Sequence, residues 1–345
     1  MDLLIHKLMN LVLPPIIFVA LCISIPPYLF LKFFYSILRT FSMEDMAGKV
    51  VLVTGASSGI GEQLVYEYAR RGARLVLVAR RKNLLEEVAK KARGFGSTDV
   101  LVVCGDVTKV EDCKRFIEEA VNHFGCLDHL VNNAGITNIC PFEDVTNILN
   151  FSSMMDVNFW GSIYATHFAI PHLLKSKGRI VVIASPSAWL LAPRLTFYGA
   201  SKAALINFFE SLRVELDPRV AITIASPGVT ESEMTQGKHL SKEGVMQVDK
   251  ETVNLLIGTF PVFGAELLAK RIVNGVCRGE RSITEPFYYG AVYLWKVFCP
   301  EIIHWFFLWI HAIKPMKRQG MIVTGRGKIL DVDHYATTAT TPITK

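Results

Sequence analysis

Six short apolar runs, separated by longer stretches, constrain the fold of this 345-residue chain more than any other feature. Each run is apolar almost throughout rather than at alternate positions, as expected for strands buried on both faces. The stretches between them are long enough for helices that return the chain to start another parallel strand. The sequence therefore predicts an α/β fold with a doubly wound parallel sheet. The predicted strands are residues 49–54, 74–79, 100–105, 128–133, 179–184 and 220–225.

The first predicted strand runs directly into a glycine-rich stretch, TGASSGIG, at residues 54–61. Gly55, Gly59 and Gly61 leave room for a diphosphate to approach the backbone. The N-terminus of the helix predicted to follow supplies free N–H groups and partial positive charge. A glycine triplet alone could be only a tight turn, but between a strand and a helix it predicts a dinucleotide-binding site.

The end of the second predicted strand distinguishes the two nicotinamide cofactors. Enzymes that use NAD commonly carry Asp or Glu there, which accepts hydrogen bonds from the ribose hydroxyls. This chain has Ala79, Arg80 and Arg81 instead, and a guanidinium group suits a ribose 2′-phosphate. The sequence therefore favours NADP(H), with a solvated basic start to the next helix as the alternative interpretation.

A serine, a tyrosine and a lysine after the fifth predicted strand indicate acid–base chemistry. Ser185 follows that strand, and Tyr198 and Lys202 stand in the stretch YGASK. On a helix, Lys202 lies on the same face as Tyr198, because residues four apart are neighbours. A nearby ammonium group is expected to lower the pKa of the Tyr198 phenol and so make proton transfer easier. The Ser185 hydroxyl can donate a hydrogen bond to a carbonyl oxygen.

With these motifs together, residues 46–285 resemble the classical short-chain dehydrogenase/reductase family. The arginine after the second strand and the hydrophobic N-terminus are similar to its 11β-hydroxysteroid dehydrogenase branch. The resemblance implies a Rossmann fold and an NADP-dependent interconversion of a hydroxyl and a ketone on a sterol or steroid. Hydride would pass between nicotinamide C4 and the substrate carbon, with Tyr198 as general acid/base. The protein would supply orientation and electrostatics.

The same resemblance assigns roles to further residues. Asn158, in the stretch DVNFWG, corresponds to the family's fourth catalytic residue, which supports a water-mediated proton relay. Ser232 stands where the family often has Thr, a change that keeps the hydroxyl. The implied catalytic residues are Ser185, Tyr198, Lys202 and Asn158. The implied cofactor-binding residues are Gly55, Ser57, Ser58, Gly59, Ile60, Gly61, Arg80, Arg81, Asp106, Val107, Asn132, Ala134, Tyr198, Lys202, Pro227, Gly228, Val229 and Ser232.

The stretch PSAWLLAPRLTF, residues 186–197, is predicted to line the substrate side of the site. Its large apolar side chains would suit a rigid lipid such as a sterol, although ordinary core packing needs the same residue types. These side chains are Trp189, Leu190, Leu191 and Phe197. The predicted substrate contacts are Ser185, Trp189, Leu190 and Tyr198.

The N-terminal segment, residues 1–45, contains an uncharged run at 8–31 that is long enough to cross a bilayer. Proline pairs stand at 14–15 and 26–27, and each proline removes a helical N–H and clashes with the carbonyl four residues earlier. We expect the pairs to break the run and leave residues 16–25, about 15 Å of helix, which matches one leaflet. The segment is therefore expected to enter and leave a lipid monolayer on the same side.

The paired prolines within 14–27 resemble the proline knob of the steroleosins, the sterol dehydrogenases of plant seed oil bodies. The resemblance implies a location at the lipid droplet (seed oil body), with residues 8–31 in contact with lipid. A kinked transmembrane anchor of the endoplasmic reticulum is the alternative. Basic residues are more numerous after the run than before it, so the catalytic domain is predicted to face the cytosol.

The C-terminal part is expected to differ from the dehydrogenase domain. Residues 286–318 are rich in aromatic side chains and end in basic residues, a composition typical of a membrane interface. A lid over the substrate cleft or a dimer contact is equally compatible with this pattern. Residues 319–345 are predicted to be a flexible tail. The family resemblance also implies a homodimer.

Cysteine, histidine and charge patterns argue against other classes of protein. The seven cysteines are scattered, without a C-x-x-C pair, and the histidines lack the spacing of a zinc site, so no metal is predicted. The basic run at 70–93 has no interleaved aromatic rings suited to base stacking, so no nucleic-acid partner is predicted. Two alternative functions stay open: a non-catalytic structural or tethering protein of the lipid droplet, and an ER-anchored reductase of retinoid or fatty carbonyl substrates.

Overall fold

The structure is a computed structural model, and it describes residues 2–41, 43–258, 260–313, 317–318, 321–323 and 329–331. These residues fall into two compact units. The N-terminal unit lies within Met1–Asp45 and Cys277–Gly279. The main unit lies within Met46–Val276 and Glu280–Lys345.

A seven-stranded parallel sheet forms the centre of the main unit. The strands of the chain are β1 Val50–Thr54, β2 Arg74–Ala79, β3 Val100–Cys104, β4 His129–Asn132, β5 Arg179–Ile183, β6 Ala221–Pro227, β7 Lys238–Leu240, β8 Met246–Val248, β9 Ser282–Glu285, β10 Lys317–Arg318, β11 Met321–Val323 and β12 Ile329–Asp331. The order across the sheet is β3-β2-β1-β4-β5-β6-β9. β7 and β8 form an antiparallel hairpin beside it, and β10 to β12 form a small antiparallel sheet.

Helices connect the strands of the large sheet, as the predicted doubly wound fold requires. The helices among the described residues are α1 Asp2–Phe41, α2 Gly59–Arg70, α3 Lys82–Phe95, α4 Val110–Phe124, α5 Ser152–Met155, α6 Gly161–Ser176, α7 Thr196–Leu216, α8 Lys250–Ile257, α9 Ala265–Cys277, α10 Tyr288–Phe298 and α11 Pro300–Ile313; α1 precedes the sheet, and α10 and α11 follow its last strand, β9. A π-helical turn, Asp156–Trp160, lies between α5 and α6, and short 3₁₀ turns lie at Phe142–Asp144, Ile148–Phe151 and Pro186–Ala188.

The parallel sheet and all six predicted strands are confirmed, because strands with apolar residues on both faces can only be covered by helices on both sides. β1 is completely buried along its length. On one side of the sheet, Phe116 of α4 and Phe209 of α7 belong to the same buried cluster as Val50 and Leu52. The seventh strand, β9, was not predicted. It pairs with β6 through four residues, Ser282–Glu285, only one of which is a large apolar residue.

α1 differs from its prediction. The structure shows one helix of 40 residues that contains both proline pairs, so the expected break into a separate segment at 16–25 is wrong. A proline removes one N–H donor and either kinks or breaks a helix, and α1 continues through all four of its prolines. Within α1, Ile5–Phe34 is long and apolar enough to cross a membrane, with a mean hydropathy of 2.4.

The C-terminal region contains more regular structure than expected. α10 and α11 form a pair bent by 115° at the break between them. Strands β11 and β12 lie in the stretch 319–345 that was predicted to be a flexible tail. The other residues of that stretch lie outside the described part of the chain.

Phe209→Ala should lower the free energy of unfolding by about 3–5 kcal/mol, because it leaves a cavity beneath the sheet in place of a fully buried ring. Val214→Ala is the matched control on the same helix, since Val214 is 81% exposed, and it should stay within about 0.5 kcal/mol of the parent. Urea unfolding of detergent-solubilised protein, followed by far-UV circular dichroism, measures both. Equal losses in the two variants would contradict this account of the core.

Candidate active site

A cavity of about 470 Å³ opens at the carboxyl ends of the parallel strands. It includes the gap between β1 and β4, where the strand order reverses, the position at which open α/β sheets bind their ligands. Its walls come from the turn after β1, the ends of β2, β5 and β6, and the beginning of α7. The segment after β6, Tyr289 of α10 and Phe307 of α11 also line it.

The turn after β1 comes so close to the rest of the protein that its glycines cannot carry side chains. Gly55 has φ +66°, and a Cβ on it would lie 2.8 Å from the Cα of Ala134. A Cβ on Gly61 would lie 2.3 Å from the carbonyl oxygen of Gly55. No side chain therefore covers the backbone of this turn at the start of α2, where the first N–H groups of the helix are free to bind a ligand. That cradle fits the diphosphate of a nicotinamide dinucleotide.

Asn133 and Thr54 join β1 to the chain after β4. The Asn133 side-chain amide donates to the carbonyl oxygens of Thr54 (2.9 Å) and Gly55 (3.2 Å). The Thr54 hydroxyl accepts from the backbone N–H groups of Asn133 (3.0 Å) and Ala134 (3.2 Å). Asn132, which was predicted to bind the cofactor, does not line the cavity; its side chain is buried and donates to the Thr166 hydroxyl at 2.9 Å. Asn133 lines the cavity in its place.

Arg81 lies where the predicted adenosine end of the cofactor site meets the glycine-rich turn. Its guanidinium donates to the hydroxyls of Ser57 (3.0 Å) and Ser58 (2.9 Å). It also forms a 2.5 Å ion pair with Glu233, a residue that the sequence analysis did not select. Arg81 is thus held by groups from two separate segments.

The other predicted residues of this end also line the cavity. The Arg80 side chain is 65% exposed and lies 3.9 Å from the Asp106 carboxylate. Asp106 accepts a hydrogen bond from the backbone of Thr108 at 3.0 Å, which fixes the turn after β3. Val107 packs closely against Gly161, because a Cβ on Gly161 would lie 2.7 Å from the Val107 side chain. Except for Asn132, the whole predicted cofactor set lines the cavity.

Ser185, Tyr198 and Lys202 meet at the end of β5. A hydrogen bond joins the Ser185 hydroxyl to the Tyr198 phenol, and the Ser187 hydroxyl donates to Ser185 Oγ at 3.0 Å. Lys202 is buried, with its ammonium donating to the carbonyl oxygen of Ile183 at 2.9 Å and lying 5.9 Å from the centre of the Tyr198 ring. The predicted arrangement on one face of α7 is therefore present.

Burial sets the protonation of this pair. It raises the pKa of Tyr198 above its usual value, and the hydrogen bond from Ser185 offsets only part of that effect. Burial also lowers the pKa of Lys202 to about 8. The expectation that Lys202 lowers the pKa of Tyr198 below its usual value is wrong for this structure, because desolvation of the phenolate outweighs the favourable interactions.

Asn158 lies behind the cavity rather than on its wall. Its side chain is completely buried and is held by both backbone groups of Ile136, at 2.8 and 2.9 Å, and by Ser201 at 2.9 Å. The π-helical turn Asp156–Trp160 carries it, a distortion that is frequent at functional sites. A Cβ on Gly135 would lie within 3.2 Å of the Asn158 amide oxygen and 3.5 Å of the Lys202 ammonium. Asn158 and Lys202 are therefore neighbours across a residue without a side chain.

Only part of the stretch predicted to line the substrate side lies at the cavity. Leu190 and Leu191 line the cavity, but Trp189 and Phe197 do not. The Trp189 ring packs against Tyr293 of α10 with ring centres 5.0 Å apart. Phe197 stacks on Phe151 at 4.4 Å. Both aromatic rings therefore pack against protein, as the alternative interpretation of this stretch proposed.

Tyr289 was missed because nothing in its local sequence marks it. A Cβ on Gly228 would lie 2.1 Å from its ring, so the ring lies directly on the turn after β6. Its phenol oxygen also accepts a hydrogen bond from the Val229 backbone, and burial raises the pKa of Tyr289 to about 12. The pattern of aromatic residues in 286–318 indicated a lid as one possibility, but it did not indicate which ring faces inward.

No group of three or more His, Cys, Asp or Glu side chains that could hold a metal ion occurs among the residues that the structure describes. Most polar groups in the cavity are hydroxyls, amides and cations, and its two carboxylates, Asp106 and Glu233, each lie beside an arginine. This set suits a phosphate-bearing organic cofactor.

The family model of the short chain dehydrogenases matches residues 49–243, and the chain belongs to that family of oxidoreductases. Among its relatives is 11-beta-hydroxysteroid dehydrogenase 1A of Arabidopsis thaliana. The two are 54% identical over 302 residues, which cover 88% of this chain and 86% of that protein.

Two solved structures share the fold. A short-chain dehydrogenase/reductase of Burkholderia phymatum in complex with NAD has a TM-score of 0.67 at 21% identity, covering 75% of this chain and 96% of that one. A short-chain dehydrogenase of Burkholderia cenocepacia in complex with NADP has a TM-score of 0.63 at 23% identity, covering 76% and 98%. The same fold therefore occurs with either cofactor.

Gly61→Ala should weaken NADPH binding by about tenfold or more, because the added methyl group would displace the turn that approaches the diphosphate. Gly94→Ala is the control, since a Cβ there meets nothing within 4 Å, and it should stabilise α3 by about 0.5 kcal/mol without changing binding. Titration of NADPH fluorescence measures the affinity. Unchanged affinity in a folded Gly61→Ala protein would show that this turn does not hold the diphosphate.

Proposed function

We propose that this chain is an NADP-dependent dehydrogenase that interconverts a hydroxyl and a ketone on a sterol or steroid at the surface of a lipid droplet. One observation carries the proposal: a single cavity joins the glycine-rich turn, the Ser185–Tyr198–Lys202 set and an apolar wall. A non-catalytic tethering protein would have no need of this combination at one site.

The chemistry follows from the positions of the catalytic side chains. The Ser185 hydroxyl donates to the substrate oxygen and orients it, and the Tyr198 phenol gives or takes the proton of that oxygen. A bound nicotinamide supplies or accepts the hydride. Lys202 holds the cofactor ribose, and its charge favours the phenolate once proton transfer begins. Asn158, beside Lys202, supports the path by which the proton reaches solvent.

NADP is the preferred cofactor in this proposal because of the charges at the end of β2. Arg80 and Arg81 both line the cavity there. No carboxylate follows β2 directly, so none is in place to accept hydrogen bonds from the ribose hydroxyls. Ser57 and Ser58 add hydroxyl donors beside Arg81. A 2′-phosphate would find charge-assisted partners in the two arginines and hydroxyl donors in the two serines.

A sterol or steroid is the proposed substrate for two reasons. Leu190, Leu191 and Phe307 give the cavity an apolar wall that fits a rigid lipid. The similar protein of Arabidopsis thaliana carries the name hydroxysteroid dehydrogenase. Residues 46–285 would then be the dehydrogenase domain.

Residues 286–318 serve in this proposal as both lid and lipid-facing segment. Tyr289 and Phe307 face the cavity, while other aromatic side chains of the same helices are exposed. Those that are more than half exposed are Phe287, Trp295, Phe298, Trp305 and Trp309. Exposed aromatic rings of this kind favour the interface between lipid and water.

The location follows from the N-terminal helix. Residues 1–45, as the anchor, would hold the chain at a seed oil body, with residues 8–31 in the lipid and the enzyme on the cytosolic side as a homodimer. The helix contains four prolines, and prolines kink helices. A helix kinked at both pairs would suit a monolayer, since a monolayer has no aqueous phase on its far side. An anchor in the endoplasmic reticulum is the competing location.

Tyr198→Phe should lower steroid turnover by about 10²- to 10⁴-fold while NADPH binding is retained, because only the acid/base hydroxyl is lost. With the pKa of Tyr198 raised, alcohol oxidation by the parent should increase with pH as the phenolate forms, and ketone reduction should fall. Tyr164→Phe, outside the cavity, is the control. Steady-state rates with hydroxysteroids, retinol and aliphatic alcohols, measured as a function of pH, test both the loss of turnover and the pH dependence. Full turnover in Tyr198→Phe would exclude the assigned role.

Replacement of Pro14, Pro15, Pro26 and Pro27 with leucine should move the protein from droplets into the endoplasmic reticulum, since a straight apolar helix of 30 residues is about 45 Å long and spans a bilayer. Cys22→Leu with Ser24→Leu is the control, because it raises hydropathy without straightening the helix. Fluorescence microscopy of tagged proteins locates them. Droplet targeting that survives the loss of all four prolines would refute their role.

A further inference from the structure

The segment that follows β6 lies over the glycine-rich turn. Ser232 rests on Gly59, where an added Cβ would lie 3.2 Å from the Ser232 side chain. From the same segment Glu233, Thr235 and Lys238 line the cavity. A cofactor whose diphosphate lies on the turn would therefore lie beneath this segment.

The carboxylate of Glu233 binds two cations at the adenosine end of the cavity. One oxygen pairs with Arg81 at 2.5 Å and the other with Lys238 at 2.7 Å. Burial alone would raise the pKa of Glu233, but hydrogen bonds from Arg81 and Lys238 lower it below its usual value, so the group is ionised at neutral pH. Ser57 and Ser58 accept hydrogen bonds from the other terminal nitrogen of Arg81, Nη2, so both terminal nitrogens of the guanidinium have partners.

A 2′-phosphate at this place needs the same guanidinium edge. Two anions on one cation repel each other, and a phosphate carries more charge than a carboxylate and three acceptor oxygens. NAD has no 2′-phosphate and leaves the Arg81–Glu233 pair intact. The two cofactors therefore differ in whether they compete with Glu233.

We propose that Glu233 is a specificity-determining residue, a carboxylate that occupies Arg81 in place of the 2′-phosphate and is displaced from it when NADP binds. Lys238 keeps its pair with Glu233 after the exchange, so the charge of the displaced carboxylate stays compensated. Because Glu233 belongs to the segment over the glycine-rich turn, the exchange couples binding of the 2′-phosphate to the position of that segment. This inference rests on the proposed use of NADP.

The test compares the dissociation constants of NADP⁺ and NAD⁺ for the full chain in detergent, measured by isothermal titration calorimetry. In Glu233→Gln, the competitor loses its charge, and NADP⁺ should bind about threefold to tenfold more tightly. The gain is modest because both side chains of the pair are about one-third exposed. NAD⁺ affinity should change by less than about twofold, since no phosphate competes.

Glu231→Gln is the matched control. It lies two residues earlier in the same segment and accepts from the Ala265 backbone at 3.3 Å rather than from Arg81. It should leave both constants unchanged. If Glu233→Gln weakens both cofactors, the pair serves only to hold the segment closed and the proposal is overturned; an unchanged NADP⁺ constant overturns it as well.

Arg81→Ala separates this inference from the proposed function. A loss of NADP⁺ affinity relative to NAD⁺ in this variant supports the 2′-phosphate contact itself. If that loss occurs but Glu233→Gln shows no gain, the competition fails and NADP use stands. If Arg81→Ala leaves the ratio of the two constants unchanged, the assigned phosphate site fails, and the role of Glu233 fails with it.

Discussion

The hydrogen bonds between Thr54 and Asn133 are the constraint on which the rest of the site depends. They connect β1 to the chain beyond β4 at the point where the strand order reverses. With the strands held there, the glycine-rich turn can approach Ala134 to a distance that admits no side chain. This junction sets the approach of the glycine-rich turn to Ala134 and, with it, the opening at the carboxyl edge before the N-terminus of α2. Four hydrogen bonds at the ends of two neighbouring strands therefore hold the edge of the cavity that the glycine-rich turn forms.

The sheet could be predicted because its strands are buried on both faces and so consist of apolar residues. β9 escaped notice because its four residues are mostly polar and it lies at the edge of the sheet, where only β6 pairs with it. The continuity of α1 escaped for another reason. Each proline removes backbone hydrogen bonds only near itself, and a long helix keeps the hydrogen bonds of all its other turns. A prediction based on each proline pair alone therefore overestimates the disruption.

The site could be predicted where its residues are close in sequence. The spacing of Tyr198 and Lys202 along one helix and the glycines of one turn are local properties. Glu233 and Tyr289 come from distant segments, and only the tertiary path of the chain brings them to the cavity. The sequence analysis predicted a lowered pKa for Tyr198, but burial raises it. Sequence spacing shows which charges are neighbours, but it does not show how deeply a side chain is buried.

Tyr289 fills the space that a side chain at residue 228 would take and binds the backbone of Val229. The helix that carries it also packs its Tyr293 against Trp189. A ligand that shifted the turn at Pro227–Val229 would therefore press on Tyr289 and, through it, on α10. Trp295 stands on this helix, and Trp305 and Trp309 stand on α11 next to it. A shift of α10 would change the surroundings of these indoles, so their emission is the optical signal to follow when a ligand enters the cleft.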